Sequence, residues 1–137
     1  MRLTSFTDFG LRALMRMAAE PERGFTTDEI AREFAISRHH LTKVVRDLAR
    51  TGFVVTQRGG GGGLRLARPP EDIRIGAVVR ALESREALVE CFRPDGGTCR
   101  MTAGCVLAGR LAGAREAFLR HLDATTLAEC AWAPAEA

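Results

Sequence analysis

Apolar residues recur at helical spacing in five stretches of this chain, with one strand-like alternation between the third and the fourth. Phe9, Ala13 and Met17 stand at steps of four, with Leu11, Leu14 and Ala18 in the adjoining row, until Pro21 and Gly24 stop the pattern. This predicts a first helix over about residues 5–19, capped by Ser5 with Asp8 in its first turn. Thr26-Thr27-Asp28-Glu29 is a capping box, and Ile30, Ala31 and Phe34 give the buried stripe of a short second helix. Only Ala35-Ile36 separates it from Ser37, the next N-cap. Leu41, Val44, Val45 and Leu48 then stand at i, i+3, i+4 and i+7, and Gly52 ends the third helix.

The alternation follows at once. Phe53-Val54-Val55-Thr56-Gln57 and Leu64-Arg65-Leu66 read as two strands of a hairpin joined by Arg58 and five glycines. The glycine run is no nucleotide loop, because no Gly-Lys-Ser/Thr follows and Arg68-Pro69-Pro70 stands where a helix would start. Ile75, Val78, Val79 and Leu82 mark a fourth helix over about 74–83, and Pro94-Asp95-Gly96-Gly97 marks the following stretch as loop. Thr102 is the expected cap of a last helix of about twenty residues, whose apolar row is Leu107, Leu111, Ala114, Phe118 and Leu122. Thr125-Thr126-Leu127 could add a turn, and Pro134 onward is expected to fray.

These elements predict a mainly α fold with a small β-hairpin: a winged helix-turn-helix head plus a long C-terminal helix. We divide the chain into a DNA-binding domain at 1–83, a cysteine-bearing loop at 84–102, a dimerisation helix and turn at 103–130 and a tail at 131–137. The last helix carries more apolar surface than the head can cover, which favours pairing with a second copy over packing within one chain.

Charge sharpens this picture. Net charge is +3, with 13 Lys+Arg against 9 Asp+Glu in residues 1–75 and 7 against 8 in residues 76–137, so the head is +4 and the rest −1. The basic half is the candidate anion-binding half. Ser37, Arg38, His39, His40, Thr42, Lys43 and Arg46 lie on or lead into the outward face of the third helix, which is either an ordinary solvated face or a DNA-reading one. The hairpin tilts the choice to DNA. Gly60, Gly61 and Gly62 allow close backbone approach to a phosphate or a narrow groove, and Arg58 and Arg65 flank the tip. Such a head places its third helix in the major groove and its wing in the adjacent minor groove of double-stranded DNA. No stretch of eighteen apolar residues exists and the start of the chain is no signal segment, so a cytoplasmic protein that avoids membranes is expected.

The remaining chemistry is in cysteine. Cys91, Cys99 and Cys105 fall within fifteen residues, with seven and then five residues between them; Cys130 stands apart as a free or packed thiol. Clustered thiolates in a reducing compartment suit a soft metal. Zinc favours paired short spacings with histidines near, whereas wide loop-borne gaps and no histidine between Phe53 and Arg120 favour an iron-sulfur cluster. A structural zinc and a plain set of packed or redox thiols remain the alternatives. Cys105 is expected in the first turn of the last helix, where the dipole favours a thiolate. Thiol oxidoreductase chemistry lacks its Cys-x-x-Cys, so no enzyme is expected.

The opening Met-Arg-Leu-Thr-Ser-Phe-Thr-Asp-Phe-Gly-Leu-Arg-Ala-Leu, Ser37 to Val44, the wing from Arg58 to Leu66, Ile73-Arg74-Ile75-Gly76 and the three cysteines together resemble the bacterial winged-helix iron-sulfur transcriptional regulators, the family of IscR and NsrR. The resemblance covers residues 1 to about 130 and is closest to the nitric-oxide-sensing repressors of that family. Some members complete their cluster with a histidine three residues after the third cysteine; here that residue is Ala108. The nitric-oxide-sensing members can instead take an aspartate from the start of helix 1 of the partner subunit, the place held by Asp8. The resemblance therefore implies Cys91, Cys99, Cys105 and an Asp8 from the partner subunit as ligands of a 4Fe-4S cluster, favoured over 2Fe-2S. It also implies a homodimeric repressor that leaves a palindromic operator when nitric oxide attacks the cluster. A redox- or iron-sulfur-status sensor of the same family is the nearest alternative. The gap of seven is longer than is usual in the family.

Overall fold

The computed structural model describes residues 2–59, 63–84, 86–101 and 103–136. Its elements are α1 (Ser5–Ala19), α2 (Thr27–Glu33), α3 (Arg38–Arg50), β1 (Val54–Gln57), β2 (Gly63–Leu66), α4 (Ile75–Leu82) and α5 (Val106–Asp123). The predicted fold class is the observed one: five helices with one antiparallel hairpin.

The stripes read for the first four helices make up much of the core, whereas in the row read on the last helix Leu107 is exposed and Phe118 and Leu122 are partly buried. Leu14, Met17, Ile30, Leu41, Val44, Leu48 and Val78 are almost fully enclosed, and Ile75, Val79 and Leu82 bring α4 onto α1. Truncating any one large member of this set to alanine costs about 2–5 kcal/mol, from lost transfer energy and the cavity left behind. Caps set the helix starts. Thr26 Oγ1 accepts from Glu29 N–H at 3.1 Å and Ser37 Oγ from His40 N–H at 3.5 Å, as expected. The first helix differs: Thr4, not Ser5, is the N-cap and accepts from Thr7 N–H at 3.3 Å. Glu83 selects Thr4, because its carboxylate accepts both the Thr4 N–H and the Thr4 hydroxyl at 2.8 Å.

Val54 to Gln57 pair with Leu66 to Gly63, and the hairpin is extended by Phe25, which exchanges two backbone bonds with Leu64 at 2.9 and 2.7 Å. This third, one-residue strand seats the wing on the connection between α1 and α2. Gly63 permits the approach: its φ is +112°, and a Cβ there would lie 2.6 Å from the Phe25 carbonyl oxygen. Phe25 is itself buried under the guanidinium groups of Arg16 and Arg23, 4.9 and 4.3 Å from its ring centre.

Two features of the C-terminal part depart from the sequence reading. The last helix begins at Val106 with Cys105 as its N-cap residue, so Cys105 precedes the helix instead of lying in its first turn. Gly104, with φ +77°, turns the chain just before it, and Thr102, the expected cap, lies outside the described residues. At the other end the chain folds back. Thr125 O accepts from Ile75 N–H at 3.1 Å, Leu127 N–H donates to Ile73 O at 2.8 Å, and Leu127 is fully buried. Trp132 N–H donates to Met15 O at 3.0 Å, and its ring packs on Phe34 with 5.3 Å between centres.

Candidate DNA interface and cysteine loop

The second and third helices form a helix-turn-helix whose turn is Phe34-Ala35-Ile36. Ala35 holds φ +52° there, and Ile36 N–H reaches back to Ala31 O at 2.8 Å. The burial of Leu41, Val44, Val45 and Leu48 forces the opposite side of α3 outward, so Arg38, His39, His40, Thr42, Lys43 and Arg46 are all exposed, with Ser37 exposed at the cap. Thr42 is turned inward on its own helix, its hydroxyl donating to Arg38 O at 2.8 Å. Arg38 is not a loose cation: its Nε lies 3.0 Å from Asp28 Oδ1 in the first turn of α2.

The two wing arginines differ. Arg58 is exposed at the end of β1, whereas Arg65 is half-buried and donates to the Glu22 carbonyl oxygen. That bond fastens the base of the wing, so phosphate contact by Arg65 requires the remaining guanidinium edge. Gly60, Gly61 and Gly62 lie outside the described residues.

The cysteine loop runs from the end of α4 to Cys105, with a 3-10 turn at Glu90–Phe92. Cys91, Cys99 and Cys105 are all half-buried. Within it the Glu90 carboxylate accepts from the Thr98 hydroxyl and N–H, and these bonds hold its pKa below the usual carboxylate range. Asp8 is half-buried on α1, its two oxygens held by Arg12 Nε at 3.2 Å and Nη2 at 2.7 Å.

Among the described residues, no three His, Cys, Asp or Glu side chains of the single chain gather as a metal-holding group. The donor chemistry nonetheless fits an iron-sulfur cluster: three thiols on one loop, outside the hydrophobic core. Among the described residues, one chain forms no closed cage around them. Cys130 is different, partly buried against the core beyond α5.

Around this loop the helix surface is apolar and open. Met101, Val106 and Leu107 are 72%, 74% and 62% exposed, and Leu119 is the one buried residue described on α5. The far end of α5 is tied to the head, where Arg80 makes two bonds of 2.7 Å to Asp123.

A helix-turn-helix with a basic second helix and a hairpin seated beside it defines a winged-helix DNA-binding transcriptional regulator. The relatives agree. Residues 3–131 match the Rrf2 family, iron-dependent transcriptional regulators, and the chain belongs to that family. It is 48% identical over 130 residues to the HTH-type transcriptional regulator NsrR of Geobacillus kaustophilus, covering 94% of this chain and 88% of that protein. It is 43% identical over 128 residues to the HTH-type transcriptional regulator NsrR of Halalkalibacterium halodurans, covering 93% and 88%. Among solved structures, the oxidized form of Staphylococcus aureus CymR superposes with a TM-score of 0.73 at 26% identity, over 99% of this chain and 100% of that one. T. potens IscR has the same fold, with a TM-score of 0.74 at 24% identity over 93% and 84%. The relatives are regulators of transcription, and this chain is a regulator rather than an enzyme. Among the described residues, no helix is long and apolar enough to cross a membrane.

Three contributors escaped the sequence reading. Asp28 stood only as part of a capping box, and Glu22 and Glu90 were not singled out. For Glu90 the available signal was its spacing from Thr98, which equals that of Cys91 from Cys99.

Proposed function

We propose that the protein is a homodimeric transcriptional repressor that holds a palindromic operator while a 4Fe-4S cluster is in place and releases it in response to nitric oxide. The observation that carries this reading is the position of the three thiols. Cys91 and Cys99 lie on the loop that follows the head, and Cys105 is the N-cap of the helix it leads into, whose first turn exposes Val106 and Leu107.

Cys91, Cys99 and Cys105 would hold the cluster on one chain, and Asp8 of the partner subunit would complete it. A bound iron-sulfur cluster supplies iron that nitric oxide can attack. The protein's own part is mechanical. Asp8 on α1 belongs to the head, and Cys105 caps α5; sharing one ligand set between two copies ties the head of one to the dimer helix of the other. The exposed apolar residues of α5 supply the surface for pairing, and Arg80 with Asp123 passes the position of α5 to α4 and the head. For both α3 helices to enter successive major grooves their spacing must be about 34 Å. A tie that alters this spacing needs a coupling of only about 1–3 kcal/mol to act as a switch.

Ser37, Arg38, His39 and His40 would approach base edges or phosphates, Thr42, Lys43 and Arg46 would follow the backbone, and Arg58, the wing glycines and Arg65 would reach the minor groove. Anaerobically purified protein should be brown and contain iron and sulfide in equal amounts. Cys105→Ala should remove the colour and the nitric-oxide response of operator binding together. A colourless protein that binds operator as tightly as the coloured one defeats the sensor reading. Zinc in place of iron, with no visible absorption, supports a structural metal instead.

A further inference from the structure

The loop between the first two cysteines is closed upon itself. Glu90 Oε1 accepts two hydrogen bonds from one residue, the Thr98 N–H at 2.8 Å and the Thr98 hydroxyl at 2.6 Å. Between them the chain makes two tight turns, with Arg93 N–H donating to Glu90 O at 3.1 Å and Gly96 N–H to Arg93 O at 2.9 Å. Asp95 braces the tip, accepting from Gly97 N–H at 3.0 Å and pairing with Arg93 at 2.8 Å. Gly97 makes the closure possible. Its φ is +60°, and a Cβ there would lie 2.8 Å from the Glu90 carbonyl oxygen, so the two limbs of the loop touch backbone to backbone.

Each end of this clasp is the residue immediately before a cysteine: Glu90 before Cys91, Thr98 before Cys99. We propose that Glu90 and Thr98 are positioning residues that hold Cys91 and Cys99 side by side as a prearranged dithiol for a soft, thiophilic ligand. The inference rests on the reading of these cysteines as ligands. It also accounts for the seven-residue gap: the extra length is folded away into the braced turn instead of lengthening the reach between thiols. An open loop of that size loses conformational freedom each time a ligand bridges its ends, whereas a closed one has already lost it.

The test uses the full-length metal-free chain carrying Cys105→Ser and Cys130→Ser, so that Cys91 and Cys99 are its two thiols. The probe is phenylarsine oxide, which condenses with two thiols, forming two As–S bonds and releasing one water. One arsenical should bind per chain and block both thiols, in competition with a small dithiol. Glu90→Ala should weaken this binding about tenfold, as loss of preorganisation does, with the melting temperature and helix content unchanged. Glu90→Gln should restore most of it, because the amide oxygen accepts the same two bonds. Equal arsenical binding by the parent and Glu90→Ala overturns the proposal, as does a parent chain in which no arsenical bridges the pair. Iron content separates this from the cluster reading. Failure of the natural chain to take up iron alongside the expected arsenical series leaves the clasp standing and removes the cluster. Normal iron uptake with an unchanged arsenical series does the reverse.

Discussion

Arg38, the first residue of α3, is held by Asp28, in the first turn of α2, through a contact of 3.0 Å between Nε and Oδ1. An acid on the exposed basic face repels DNA phosphates, so its presence there is informative. It fixes the direction of the one arginine at the leading end of the reading helix.

Asp28→Asn should therefore act with opposite signs on two kinds of DNA. Removing the negative charge should tighten binding to random duplex severalfold, while freeing Arg38 narrows the ratio of operator to random affinity. Both partners are exposed, at 72% and 51%, so stability should change by less than about 0.5 kcal/mol. Fluorescence anisotropy with operator and scrambled duplexes at two salt concentrations reads both effects. An operator affinity that rises as much as the random one shows that Asp28 only repels.

Arg58 and Arg38 should separate in the same assay. Arg58 is exposed at the wing, where we propose that it meets backbone phosphate, so Arg58→Ala should weaken operator and random DNA alike and reduce the salt slope by about one. Arg38→Ala should weaken operator binding more than random binding, by about 1–3 kcal/mol if it reaches a base edge. Equal losses on both duplexes would assign Arg38 to the backbone.

The return of the chain after α5 makes the C-terminus part of the head. Leu127 is fully buried and its N–H is bonded to Ile73, so Leu127→Ala should cost about 2–5 kcal/mol, a value suited to a core position and not to a tail. Trp132 is the sole tryptophan, and its ring lies on Phe34 at the start of the helix-turn-helix turn. Its emission should shift to the red on Phe34→Ala without loss of α-helical signal. Urea unfolding followed by fluorescence and by circular dichroism should give one midpoint for the natural chain, because the strap and the head share a core.

The elements with strong periodic stripes were legible because burial on one face decides them: Leu41 to Leu48 and Ile75 to Leu82 fall in the core where the pattern put them. Choices between neighbours were not. Ser5 and Thr4 are both good caps, and the hydrogen bonds from distant Glu83 decide for Thr4. The start of α5 was misplaced because a cap residue was available at Thr102, and nothing local revealed the turn at Gly104. Arg16 is 6% exposed although charged: Glu20 one turn on reaches it at 2.8 Å, a pair the sequence does show, but Glu33 of α2 reaches it at 3.0 Å, a partnership across helices that no short window of sequence contains. The cysteine spacing marks a candidate ligand set, but spacing does not determine whether the thiols converge, and among the described residues of one chain no three such side chains gather as a metal-holding group.

Acid should loosen the joint between α4 and α5 before it unfolds the core. Hydrogen bonding to Arg80, the largest influence, lowers the Asp123 pKa; desolvation opposes it, and the charges of Arg80 and Arg74 add to it. A carboxylate whose pKa is lower when folded adds stability above its unfolded value, about 4, and that contribution disappears as pH falls through the folded value. The window thus lies below about pH 4, and Asp123→Asn should flatten the dependence of the urea midpoint on pH there. Gly76 gives an independent check on the same joint. A Cβ at Gly76 would fall 2.6 Å from Leu119 O and against the Asp123 carboxylate, so Gly76→Ala must push α5 off α4. Its destabilisation, about 1–3 kcal/mol for overpacking at backbone contact, should persist at neutral pH, where Asp123→Asn and the natural chain differ most. If Gly76→Ala is silent, α5 is not seated on α4 closely enough to carry a signal from the cysteine loop to the head.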